Sequence, residues 1–171
     1  MTFSFGGRTA LWVSHVRFQE RYSNKTAQFA AYLAFYPASC YIQLADESKV
    51  SGGPIRIFHG TADDWTPIEP CKAYVERLRS AGVDVALLEY PDALHAFDNS
   101  QTSFLTIPTA LTPANCAFVE QNEKIIDPET GQEPGIDAPC VRRGVSIGYN
   151  AVAHRQSVQD VEAFLKMVFG H

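Results

Sequence analysis

Three side chains able to cooperate in breaking an acyl bond lie far apart along the chain: Ser4, Asp63 and His95. A serine hydroxyl is a poor nucleophile until an imidazole can take its proton, and the imidazole works best when a carboxylate fixes its tautomer. Ser4 stands in Phe3-Ser4-Phe5-Gly6-Gly7, where the glycines permit a sharp turn from strand into helix that pushes the hydroxyl out into a cleft. The backbone N–H of Phe5, at the start of that helix, is placed to donate to a developing oxyanion. Taken alone, Ser-x-Gly-Gly is a weak signal, because small residues also serve close packing and helix capping. The context strengthens it: Asp63 follows one short apolar run, in His59-Gly60-Thr61-Ala62-Asp63-Asp64-Trp65-Thr66-Pro67, and His95 follows the next, in Leu94-His95-Ala96-Phe97.

Competing assignments exist for several of these residues. Asp64 is an alternative orienting acid, which would leave Asp63 as a helix cap. Trp65 and Phe97 flank the acid and the base and are candidates to line an acyl pocket, with ordinary core packing as the other role. His59, Asp63, Asp64 and His95 match no facial or zinc spacing, so no metal is expected. His15 and His154 have no partner in the pattern, and the default for each is a solvated or locally satisfied imidazole.

The elements that must hold these groups read as alternating strand and helix. A helix is expected from Gly7 to about Phe18, with Leu11, Trp12 and Val16 on its apolar side. Residues 29–37 form a nearly unbroken apolar run ending in Pro37, as a strand buried on both faces would. Ile55 to His59 is a second strand after the Gly52-Gly53-Pro54 break. Next comes a helix with Pro70 in its first turn, Cys71, Tyr74, Val75 and Leu78 along one face, and Gly82 as its stop. Val83 to Tyr90 is a third strand, and Val158, Val161, Phe164, Leu165 and Val168 stripe a closing helix. The fold class is therefore α/β, a parallel sheet of about three strands flanked by helices. Asp63 and His95 then leave the carboxyl ends of neighbouring strands, the edge of an open α/β sheet where ligands bind. Between them and the last helix, residues 99–148 are rich in Pro, Thr, Asn and Gly and are expected to form an irregular insertion.

Composition narrows the function classes. With 46% hydrophobic and 12% aromatic residues in 171, the chain can bury one real core, so 1–171 is expected to be a single domain. The formal charge of −5 is spread without a basic block, which argues against a nucleic-acid or anionic-lipid partner and leaves small molecules or proteins. No stretch is long and apolar enough to cross a membrane, and the first residues lack a signal-peptide layout. Cys116 and Cys140 bracket the most irregular segment, where a bridge would restrain it; Cys40 and Cys71 make a second candidate pair. Four buried thiols would serve equally, so an exported and a cytoplasmic location stand level.

In these residues the chain resembles the dienelactone hydrolase family of the α/β-hydrolases over nearly all its length. Ser4-Phe5-Gly6-Gly7 is similar to the family's nucleophile elbow, His59-Gly60-x-x-Asp63-x-x-x-Pro67 to its acid loop, and Tyr90-Pro91 through His95-Ala96-Phe97 to its histidine loop. The chain order Ser, Asp, His is the one α/β-hydrolases use. The resemblance implies a serine hydrolase of a small ester or lactone, acting through an acyl-enzyme with Ser4 as nucleophile, His95 as base and Asp63 as orienting acid, and with no cofactor. One departure is Thr2, which occupies the place of the elbow's first glycine and is expected to strain it. Three parallel strands would also leave sheet edges open beside Ser4. The chain is thus expected to be a domain cut before its elbow, and the rival reading is an inactive fragment, or a half-domain that needs a partner chain to complete the sheet.

Overall fold

The computed structural model describes residues 1–22 and 28–170. In chain order the elements are β1 (Thr2–Phe3), α1 (Phe5–Val13), α2 (Val16–Tyr22), β2 (Tyr32–Phe35), β3 (Ile42–Gln43), β4 (Ile55–Gly60), α3 (Ile68–Ser80), β5 (Val85–Tyr90), β6 (Leu105–Thr112), β7 (Phe118–Gln121), β8 (Lys124–Ile126), β9 (Arg142–Ile147) and α4 (Ala151–Phe169). The main sheet is parallel and has four strands in the order β1-β2-β4-β5. It exceeds the expected three by β1, the two-residue strand that feeds Ser4.

Alternation along the strands sorts the core into two layers. Tyr32, Ala34, Ile55 and Ile57 face one side of the sheet and pack with Leu11 of α1 and with Cys71, Tyr74, Val75 and Leu78 of α3. Leu33, Phe35 and Phe58 face the other, against Phe97 and against Ala153 and Phe164 of α4. Period-two side chains on strands covered by helices on both faces require this continuous apolar character. The α3 stripe at spacings of three, four and seven is buried as its periodicity predicts, and Gly82, at φ +80°, lies just beyond the helix end. Asn150 caps α4 by accepting from the N–H groups of Val152 and Ala153.

Two expectations need correction. The helix expected over Gly7–Phe18 starts at Phe5 and breaks at Ser14-His15 into α1 and α2. Ser14 Oγ donates to Leu11 O at 2.6 Å, Ser51 N–H donates to Ser14 O, and Val16 N–H donates to Lys49 O. Tertiary pairing with residues 49–51 thus takes the backbone groups that a continuous helix would use. The second correction concerns residues 99–148, which are not structureless. β6 and β9 form an antiparallel pair, and β7 pairs with β8 and with β3. The strand signal of β6 is hidden by Pro108, which sits in a register shift between Ile107 and Leu111, a place where a missing N–H is tolerated. That of the β7–β8 hairpin is hidden because Asn122 and Glu123 both take positive φ, the two-residue turn usually marked by Asn-Gly.

Both cysteine pairs are bridged, Cys40 to Cys71 and Cys116 to Cys140. The first joins the loop after β2 to α3; the second closes the segment that carries β7 and β8.

Candidate active site

Ser4 links β1 to α1 as the residue that caps the helix, with φ 51° and ψ −117°. Positive φ in a residue with a side chain stores strain, of order 1–3 kcal/mol, and persists only where the surroundings enforce it. Here Ser4 N–H donates to Phe35 O at 2.9 Å, and Ser4 O accepts from Arg8 N–H at 3.1 Å. A Cβ on Gly7 would lie 2.7 Å from Phe35 O, so only glycine lets α1 sit directly on the end of β2. Thr2 is accommodated across the turn from Gly6, whose added Cβ would lie 3.3 Å from Thr2 Cβ. Its cost is a buried hydroxyl with no partner among the described residues.

The acid and histidine loops are laced together. A Cβ on Gly60 would fall 2.1 Å from Ala93 O, so β4 and the loop after β5 touch through bare backbone. Thr61 N–H donates to Tyr90 O and Ala62 N–H to Ala93 O. Asp63 emerges from this contact fully buried at its side chain. Its Oδ1 accepts from Trp65 N–H at 2.9 Å and Thr66 N–H at 2.8 Å. Its Oδ2 accepts from Thr66 Oγ1 at 3.0 Å and faces His95 Nδ1 at 2.8 Å. On the other side of the imidazole, His95 Nε2 is 2.9 Å from Ser4 Oγ. A hydroxyl, an imidazole and a buried carboxylate so linked can pass a proton from oxygen to nitrogen while the carboxylate offsets the charge that develops.

Aromatic rings wall the imidazole, with Tyr36 centred 4.5 Å away and Trp65 5.0 Å away. Tyr36 O–H donates to Asp98 Oδ1 at 2.6 Å. Burial first, and then Asp98, push its phenol well above the ordinary range, so it stays protonated. Trp65 is fixed at both ends, since its Nε1–H donates to Leu111 O and its carbonyl accepts from Thr112 Oγ1. β9 straps the same two loops: Asp64 Oδ1 accepts from Ser146 N–H at 2.7 Å, Ile147 bridges His95, and Gly148 N–H donates to His95 O.

The sequence-level candidates therefore separate. Ser4, Asp63 and His95 converge, and Asp64 turns to β9 instead of His95. Phe5 heads α1, where the first N–H groups lack partners within the helix. Phe97 must be corrected as a pocket residue: it is wholly buried and packs with Phe35 and Tyr90 beneath the site. His15 also departs from its default, being buried with neither ring nitrogen partnered among the described residues. His154 Nδ1 lies 3.2 Å from Tyr149 Oη. His59 is buried at the end of β4, with Nδ1 3.1 Å from Gly60 O; burial lowers its pKa, with Asp63 opposing. Among the described residues, no group of three or more His, Cys, Asp or Glu is disposed to hold a metal. Tyr36 and Thr66 escaped sequence reasoning. Only the position of Thr66, three residues after Asp63 as in a side-chain turn, carried a signal.

A model of the dienelactone hydrolase family matches residues 3–169. The chain belongs to the dienelactone hydrolase family. Among solved structures, it is similar to the dienelactone hydrolase-like promiscuous phosphotriesterase P91 from metagenomic libraries, with 18% identity and a TM-score of 0.54 over 97% of this chain and 50% of that one. It also matches a propionate-bound thermophilic esterase, Est2, of the planctomycete Thermogutta terrifontis, with 25% identity and a TM-score of 0.43 over 57% of this chain and 45% of that one. A third match is esterase PE8, with 20% identity and a TM-score of 0.41 over 56% and 40%. The chain spans half or less of the length of these structures. No curated protein matches it.

Proposed function

We propose that this protein is a serine hydrolase of small esters or lactones that works through an acyl-enzyme. The observation that carries the reading is the unbroken run from Ser4 Oγ to His95 at 2.9 Å and from His95 to Asp63 at 2.8 Å, in a member of the dienelactone hydrolase family. In this reading Ser4 Oγ attacks the carbonyl carbon as His95 Nε2 takes its proton, and Asp63 holds the Nδ1–H tautomer. The tetrahedral oxyanion is met by the Phe5 N–H at the head of α1. Collapse expels the alcohol, protonated by His95, and leaves the acyl group on Ser4; water, deprotonated by His95, then releases the acid. Trp65, packed on the imidazole, borders the acyl side. The ester chemistry named for the Est2 and PE8 structures accords with this substrate class, and the two disulfides support an oxidising compartment.

A second reading is favoured by one observation. β1 is an edge strand, and Met1, Phe3 and Phe5 around it are exposed, an arrangement that suits further strands from a partner chain. In that reading residues 1–171 alone do not turn over. Hydrolysis of p-nitrophenyl acetate by the chain and by Ser4→Ala separates the two. A Ser4-dependent rate that falls by about 10⁴-fold or more in the variant is the expected result. A rate that survives in Ser4→Ala removes Ser4 from the mechanism.

A further inference from the structure

Among the described residues, Thr66 is the one side chain within hydrogen-bond distance of both the acid and the base. Its Oγ1 lies 3.0 Å from Asp63 Oδ2, 3.2 Å from His95 Nδ1 and 3.3 Å from Tyr36 O, and it is buried. An ionised carboxylate offers about four acceptor sites, and four donors meet Asp63: the N–H groups of Trp65 and Thr66 on Oδ1, and the Thr66 hydroxyl and His95 Nδ1–H on Oδ2. Thr66 alone supplies two of them. Its hydroxyl has one proton, which goes to Asp63 at the shorter distance, and this leaves an oxygen lone pair on the side of the Nδ1–H.

From this we infer that Thr66 is a positioning residue for the Asp63–His95 pair. Its hydroxyl shares Oδ2 with the imidazole, so that Asp63 pulls on the Nδ1 proton without removing it, and it keeps the ring turned so that Nε2 faces Ser4. The groups around that proton are His59 and Asp63 from β4 and its loop, Tyr36 from the end of β2, and Trp65. None of these supplies a second donor to Oδ2. The inference rests on the hydrolase reading for its kinetic consequence only.

The test compares Thr66→Val, which keeps the shape and removes the hydroxyl, with Thr66→Ser, which restores it. The His95 Nδ1 proton is followed by NMR in protein with labelled histidine, assigned through His95→Gln. The expected result is that the resonance moves in Thr66→Val and returns in Thr66→Ser. In parallel, kcat on p-nitrophenyl acetate falls by about 10- to 100-fold in Thr66→Val, the range of one charge-assisted hydrogen bond, while KM stays within about twofold. A resonance that Thr66→Val leaves in place overturns the inference whatever the rate does. So does a displacement that Thr66→Ser fails to reverse, because shape and not the hydroxyl would then be responsible. Turnover that persists in Ser4→Ala would instead overturn the hydrolase reading and leave the resonance to decide the role of Thr66.

Discussion

In the main sheet, β2 buries all of its residues and β4 all but Arg56, whereas in the insertion β6 buries only Thr112 and β9 only Val145. The two regions reach order by different physics. The sheet is held by apolar side chains sealed between α1 and α3 on one face and α4 on the other, each large one contributing about 1.5–3 kcal/mol. The insertion shares a small cluster with the segment around β3, Cys116 and Phe118 against Ile42 and Leu44, and is otherwise fixed by the Cys116–Cys140 bridge, by Glu120, which pairs with Arg17 and accepts from Ala45 N–H, and by bonds to the acid and histidine loops. Those bonds run through Asp64, Trp65 and His95. The sheet thus fixes where Ser4, Asp63 and His95 meet, and the insertion is anchored beside them.

This contrast can be broken by removing one staple at a time. Cys40–Cys71 ties two core elements across 31 residues, and closing such a loop is worth about 3–4 kcal/mol. Replacing both by Ala should lower the global unfolding free energy by about that amount in a denaturant titration. An unchanged midpoint would mean that burial alone holds α3 to the loop after β2.

A smaller effect comes from His15, at the junction of the two regions. Burial, opposed by Asp46, holds its imidazole down to about 4 from 6.5. Between those pH values the unfolded chain binds the extra proton, so this contribution is intact above pH 6.5 and is lost as the pH falls toward 4. The loss amounts to roughly 3 kcal/mol at most. Unfolding measured across that range should steepen with acid in the native protein and flatten in His15→Gln; identical slopes would contradict the assignment.

Least of all should the global midpoint respond to loss of Cys116–Cys140. The double Ala variant should speed amide exchange over residues 113–141 and move the sheet by under about 1 kcal/mol. Exchange that rises equally in β2 and β4 would erase the distinction between the regions.

The same contrast decided what could be read from sequence. Strands sealed on both faces announce themselves as apolar runs, and α3 announces itself by its stripe and by Gly82, so the α/β class and the loops bearing Ser4, Asp63 and His95 were legible. The hairpins of the insertion were not, because Pro108 and the Asn122-Glu123 turn replace the usual signals and their faces are mostly wet. The break at Ser14-His15 was set by pairing with residues 49–51, and the burial of Phe97 by Phe35 and Tyr90. Both are tertiary facts that no local pattern carries.

Activation of Ser4 as a nucleophile by His95 and Asp63 is the step on which the proposed hydrolysis turns. It is tested most directly by treating the chain with a fluorophosphonate and mapping the adduct by peptide mass spectrometry, alongside Asp63→Asn. A single adduct on Ser4 is expected, formed much more slowly in Asp63→Asn. An adduct on another residue, or none on Ser4 in a folded protein, would contradict it.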